Sequence, residues 1–272
     1  MWNTENSNKI VTSRIAGRKK ILTLAFLAFT VLGMQAQNFE VGVKGSYKST
    51  WLFNNNISDQ GDVQDYAAGW GYNYGLGFNY YFNDRLGMGI DVLMNHHTGH
   101  YAGTDTATHS FTSWATINSM DIPVMFKMRS DNGGYLEVGP MFSSISSTMF
   151  DFNQEYTVGT TTFTNNFSHK ADSNYAKSNI CAVLGFGTKI KLGGHFLMQV
   201  GFRLEYGLTD LKGLDAYGIS LRNALIYPTK ASTNSAAAGL MVGFVYSFGT
   251  QVESSSKNPT PPPPPPPPPP GN

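Results

Sequence analysis

A single cysteine, Cys181, stands in 272 residues, so no intrachain disulfide can form. Charged residues are sparse at 14%, and they balance to a formal net charge of +1. A chain so nearly neutral offers no basic field for nucleic acid. After residue 36 no apolar run approaches the roughly 20 residues that a membrane helix needs. The last lack is one of position. Several segments alternate with a period of two, and one side of that alternation carries no Lys, Arg, Asp or Glu. In Trp70-Gly71-Tyr72-Asn73-Tyr74-Gly75-Leu76-Gly77-Phe78-Asn79-Tyr80 the even positions are large and apolar, and the odd ones are glycine or asparagine. The other side of the alternation holds Glu40, Lys44, Lys48, Arg85, Asp91, Asp121, Lys127, Arg129, Glu137, Lys189, Lys191, Arg203 and Glu205. A soluble sheet tolerates charge at the rim of either face. A face against hydrocarbon does not, because a charge at the bilayer midplane costs about 2–4 kcal/mol.

What is present fits that constraint. The pattern predicts an all-β fold, an eight-stranded antiparallel transmembrane β-barrel. The expected strands are 39–53, 69–82, 85–95, 114–129, 134–147, 176–192, 195–208 and 236–249. Short connections at Asn83-Asp84, Ser130 to Gly133 and Gly193-Gly194 are rich in residues that accept positive φ. Long polar connections near 54–68, 96–113, 150–175 and 209–235 alternate with them. In such barrels the short turns are periplasmic and the long loops extracellular, which places both termini of the mature chain in the periplasm. Trp51, Trp70 and Trp114 fall at the long-loop ends, where an aromatic girdle is expected. Phe39, Phe82, Phe126, Phe196 and Phe248 mark the opposite rim. Pro123 and Pro140 cannot donate ladder hydrogen bonds and predict irregular pairing.

Flanking segments complete the organisation. Arg14, Arg18, Lys19 and Lys20 precede the mostly apolar run Ile21 to Leu32, and Ala36 follows, as in a secretory signal peptide over residues 1–36 cut before Gln37. The barrel occupies 37–249. Residues 250–272 form a tail whose ten prolines, Pro261 to Pro270, predict a polyproline II rod about 31 Å long on the periplasmic side.

Met120-Asp121-Ile122-Pro123-Val124-Met125-Phe126-Lys127, Tyr135-Leu136-Glu137-Val138-Gly139-Pro140 and Arg203-Leu204-Glu205-Tyr206-Gly207-Leu208-Thr209-Asp210 resemble the Bacteroidota outer-membrane β-barrel family that includes the PorT-like proteins. The ending Met34-Gln35-Ala36-Gln37 of the signal peptide is similar to that lineage too. The resemblance covers residues 38–249 and implies a role in a secretion or envelope complex. The proline tail departs from it, since such chains usually end at the aromatic of the last strand, here Phe248.

Eight strands enclose a lumen just wide enough for side chains to fill. Glu40, Lys44, Lys48, Asp91, Asp121, Lys127, Arg129, Glu137, Lys189, Lys191, Arg203 and Glu205 are therefore expected as a charge-neutralised lumen network, with a narrow ion or solute path as the alternative. Phe150, Phe152, Tyr156, Phe163 and Phe167 stand among Asn and Thr and form a candidate extracellular recognition loop. His96, His97 and His100, with Asp105 and His109, are residue types a loop could gather round a metal, but their spacing matches no zinc motif. The same histidines with Ser110 or Ser113 suggest a third reading, an outer-leaflet lipid-modifying enzyme. The reading carried forward is a structural or interaction component of the envelope without a cofactor. Its expected partners are outer-membrane lipid, the barrel-assembly machinery and a periplasmic or extracellular protein. The rivals are the small porin and the enzyme.

Overall fold

The computed structural model describes residues 39–58, 63–106, 109–213 and 231–248. The expected signal peptide, most of the long loop expected at 209–235 and the proline tail lie outside the described residues. The strands are β1 (Phe39–Asn54), β2 (Asp65–Ala67), β3 (Gly69–Tyr81), β4 (Leu86–Thr106), β5 (His109–Arg129), β6 (Gly134–Val158), β7 (Thr161–Lys170), β8 (Ser178–Gly193), β9 (Phe196–Gly207) and β10 (Thr233–Phe248), with one helical turn, α1 (Asn55–Ser58), after β1. All pairings are antiparallel. The order β4-β3-β1-β10-β9-β8-β6-β5 closes on itself through β4–β5, and β2 and β7 attach outside the ring. The ring is the eight-stranded barrel read from the alternation. It closes along β1 and β10, from Phe39 opposite Phe248 to Asn54 opposite Thr233.

The outward positions are the charge-free set. Val43, Tyr47, Leu76, Ile90, Phe186 and Leu240 are among the exposed apolar side chains that belt the barrel, while Glu40, Lys44, Asp91 and Glu137 on the other parity are buried. Antiparallel neighbours meet through tight turns at one end. Gly133 (φ 84°) and Gly194 (φ 54°) occupy the left-handed region, where a Cβ would be strained. At the first of these turns the Asn83 side-chain oxygen accepts from the Arg85 and Leu86 amides.

The opposite end differs from the sequence reading. Residues 96–106 and 109–113 are strand and not loop. β4 and β5 run on as a paired ribbon to Thr106 and His109. Residues 150–170 likewise form a hairpin of β6 and β7, and 54–68 holds α1 and β2. These segments look polar because the alternation inverts beyond the belt. There the inward side is apolar and the outward side meets water. Leu52, Ile57, Tyr101, Phe111, Ile117 and Phe150 are the centre of one buried cluster that stoppers this end of the lumen. Buried carboxylates and lysines therefore give way, along the same inward rows, to a small hydrophobic core.

A bulge between Asn118 and Ser119 helps make the stopper. On β6, Ser147 faces Asn118 and Ile145 faces Ser119, so Ser146 is extra. One added residue exchanges the two faces of every position beyond it. Inward parity passes from the odd positions Glu137, Met141 and Ile145 to the even ones Thr148, Phe150 and Phe152. The two prolines do not create shifts. The register continues unchanged past Pro123 and Pro140, but the ladder is interrupted beside each, between Ile90↔Val124 and Leu93↔Asp121 and between Pro123↔Met141 and Phe126↔Val138, so the expected irregular pairing is present without a shift. The register shifts lie at Asn118/Ser119, Thr104/Thr106 and Lys191/Gly193.

Two measurements check this architecture. Val200→Asp places a charge in the outward belt at a cost of about 2–4 kcal/mol, and the variant is expected to lose the compact, heat-modifiable band on gels. Deleting Ser146 removes the bulge and turns Phe150 and Phe152 outward. The barrel band is expected to persist, while the projecting hairpin becomes sensitive to protease.

Candidate functional site: a closed polar lumen

Five strands aim charged side chains at one another across the middle of the lumen. Arg203 on β9 is the hub. Its guanidinium reaches Asp91 on β4 at 3.1 Å and Glu137 on β6 at 2.5 Å. Lys44 on β1 takes the other Asp91 oxygen at 2.5 Å, and Lys127 on β5 takes the other Glu137 oxygen at 2.6 Å. Each carboxylate thus receives two cations, one at each oxygen. β4 and β9 lie four places apart in either direction round the ring, so the Arg203–Asp91 contact spans the barrel.

A second cluster closes the short-turn end. Glu40 accepts from Lys189 at 2.5 Å and from the Asn79 amide at 3.0 Å, and the Arg129 guanidinium stands 3.9 Å away. Arg129 also lies over the Tyr81 ring, 4.0 Å from its centroid, and Lys189 donates to the Tyr81 hydroxyl at 2.9 Å. Nearer the stopper, Lys48 binds Glu205 at 2.6 Å. Asp121 is buried beside this pair and accepts from the Ser119 hydroxyl at 2.7 Å. Lys191, assigned to the network from its parity, is exposed at the rim, next to the Lys191/Gly193 irregularity.

The inward glycines make room for these chains. A Cβ on Gly77 would stand 2.4 Å from Lys44 Cε and 2.7 Å from an Asp91 oxygen, and one on Gly185 would stand 2.7 Å from Glu137. A fully paired network survives in a low dielectric, whereas one unpaired member does not. The large residues therefore face gaps left for them.

The histidines do not converge. Successive strand residues point to opposite faces, so His97 points into the lumen and His96 and His100 point out. His97 Nε2 lies 3.1 Å from the Trp51 carbonyl, His96 bonds Asn118 and stacks on Tyr72, and His100 stacks on Trp114. His109 stacks on Tyr156 further along the ribbon. Among the described residues no group of three His, Cys, Asp or Glu is placed to hold a metal. Ser113 is buried in the stopper region and Ser110 is exposed on the hairpin, so neither makes a nucleophile–base–acid set with His97. Cys181 is buried against the Asn179 amide at 3.3 Å.

Of the aromatic recognition set, Phe150 and Phe152 are buried in the stopper, which removes them from any recognition surface; the bulge is the cause. Tyr156 is half-buried and stacks on Phe163, while Phe163 and Phe167 are exposed on β7. The stopper was the feature missed by reading the sequence. Its partial signal was Tyr101 on β4 and Phe111 and Ile117 on β5, apolar residues on the same parity as the charges of those strands, whereas on β6 the bulge puts Phe150 and Phe152 on the other parity.

The family model for the outer membrane protein beta-barrel domain matches residues 35–213. The chain belongs to this family. It is an outer-membrane β-barrel, and the charge-free outward belt is its lipid-facing surface. Among solved structures it is similar to Ail, the attachment invasion locus protein of Yersinia pestis, at 11% identity and a TM-score of 0.33 over 77% of this chain and 99% of that one. It is similar to OprG of Pseudomonas aeruginosa at 13% identity and a TM-score of 0.35, over 79% and 97%. The outer membrane protease OmpT of Escherichia coli matches at 10% identity and 0.34, over 78% and 97%. These are distant likenesses, and the fold rests on the strand pairing and the family match. No curated protein matches the chain.

Removing the hub tests the network. Arg203→Met leaves Asp91 and Glu137 each short of a cation in this outer-membrane barrel. The variant is expected to lose about 3–5 kcal/mol in urea unfolding from lipid vesicles. Arg203→Met combined with Glu137→Gln also strands the buried Lys127 ammonium, whose carboxylate partner is Glu137, and is expected to deepen that loss.

Proposed function

We propose that the protein is a filled, non-conducting barrel that serves the cell envelope as a structural and interaction component. The observation that carries this reading is the double closure of the lumen. Ion pairs cross its width, and an apolar cluster seals the end beyond them. An ion entering from either side would have to break a saturated charge network or strip its hydration in a hydrocarbon-like plug. Both are high barriers.

In this reading the long-hairpin end faces outward and both termini of the mature chain face the periplasm. The barrel holds a rigid display. β6 and β7 carry Phe163, Phe167 and Val158 exposed on a hairpin anchored through Phe150 and Phe152 in the stopper. Exposed aromatics among Asn and Thr suit contact with a protein or glycan. In the same reading the proline-rich sequence of the tail serves as a recognition segment for a periplasmic partner, as polyproline sequences suit. The resemblance to PorT-like proteins suggests that these contacts serve a secretion complex.

The deciding experiment is single-channel conductance of the refolded barrel in a planar bilayer. A silent bilayer containing folded, heat-modifiable protein is expected. Stable discrete openings from the unmodified barrel would overturn the filled-lumen reading and put transport first.

A further inference from the structure

Between the stopper and the Lys48–Glu205 pair the lumen keeps a chamber of about 30 Å³. One or two water-sized species fit in such a space. Asp121 lines it from β5 and is 0% exposed. One carboxylate oxygen accepts from Ser119, while the other meets no donor in hydrogen-bond geometry, the Ser143 hydroxyl being a neighbour of the carboxyl on the chamber wall. Asn95, on the wall contributed by β4, presents a second buried oxygen without a donor, its amide nitrogen being committed to Ser119. The Asn179 amide is committed to Ser235 and Cys181, and the Lys48 ammonium to Glu205 at 2.6 Å. The chamber thus has a surplus of acceptors. Its layer also sets one cation, Lys48, against two carboxylates, Glu205 and Asp121, in contrast to the hub, where every carboxylate oxygen has a cation.

A buried carboxylate needs a compensating charge. Here the unfilled coordination consists of hard oxygens, from one carboxylate, one amide and nearby hydroxyls. Hard oxygen sets suit alkali and alkaline-earth ions, not thiophilic or imidazole-seeking metals. Only one carboxylate lacks a counter-charge, which matches a single positive charge. We propose that this chamber binds one small monovalent cation through Asp121 and Asn95. The cation supplies the counter-charge that this layer lacks and ties β4 to β5 beneath the stopper.

The test is the thermal loss of the heat-modifiable band of the full chain refolded into vesicles in sodium, potassium or N-methylglucamine chloride at equal ionic strength. Sodium is expected to raise the midpoint by several degrees, saturably, and N-methylglucamine to leave it unchanged. Asp121→Asn is expected to abolish the response. Asn95→Ala, which keeps the carboxylate, is expected to weaken the sodium titration several-fold and guards against a misfolded Asp121→Asn. Because the chamber lies between the two closures, the ion is supplied during refolding, and crystals of the unmodified protein refolded in thallium should show one anomalous peak in the chamber. Equal midpoints in all three salts, or an undiminished response in Asp121→Asn, would overturn the proposal. So would a midpoint that follows pH alone in every salt, which would put the missing charge on a proton at Asp121 or His97.

Discussion

The contact between Arg203 and the two carboxylates that flank it governs the rest of the barrel. A guanidinium in a lumen sheathed by lipid must be neutralised locally, and Asp91 and Glu137 arrive from strands well apart round the ring. Their positions are correct in only one register of β4, β6 and β9, because a slip of one residue would turn each charge into the hydrocarbon. Lys44 and Lys127 then occupy the remaining carboxylate oxygens, and Gly77 and Gly185 stay small so that the long chains fit. The network does not make the barrel stable in the manner of an apolar core. It makes one arrangement of eight strands far better than its neighbours in register.

Along the axis the same inward rows change solvent logic. Within the belt, polar side chains hide from lipid. Beyond it, apolar ones hide from water. The strands pass through this exchange without ending, which is why β6 extends from Gly134 to Val158, well past the length needed to cross a bilayer. The Ser146 bulge adjusts the phase at that boundary and aims Phe150 and Phe152 into the stopper.

Much of the molecule was legible from one rule, that charge avoids one parity. Strand number, the short turns and nearly all the lumen charges followed from it. Three features were not legible, each for a physical reason. The ribbon at 96–113 is rich in Thr, Ser and His, which serve a solvated strand as well as a loop. The bulge leaves no local mark, since nothing about Ser146 distinguishes it from Ser144 or Ser147. The three histidines looked clustered in sequence, but strand geometry sends His97 inward and its neighbours outward. Pairing partners were also hidden. Parity places Lys48 and Glu205 on the same side of the wall, but only the closed ring shows that they meet.

The seam between β1 and β10 carries a consequence for biogenesis. β1 brings three charges, Glu40, Lys44 and Lys48, and their ionic partners Lys189, Asp91 and Glu205 belong to β8, β4 and β9. The last strand, β10, places no charge in the lumen and supplies only the closing edge. Until that edge arrives, an open sheet lying in the bilayer would show its charged face to acyl chains, at about 2–4 kcal/mol for each basic side chain at midplane depth. Threading the strands in one hairpin at a time would meet this cost at every step. The chain therefore has to curl before or as it enters, so that insertion and closure are one concerted event and the final hydrogen-bonded seam acts as its latch.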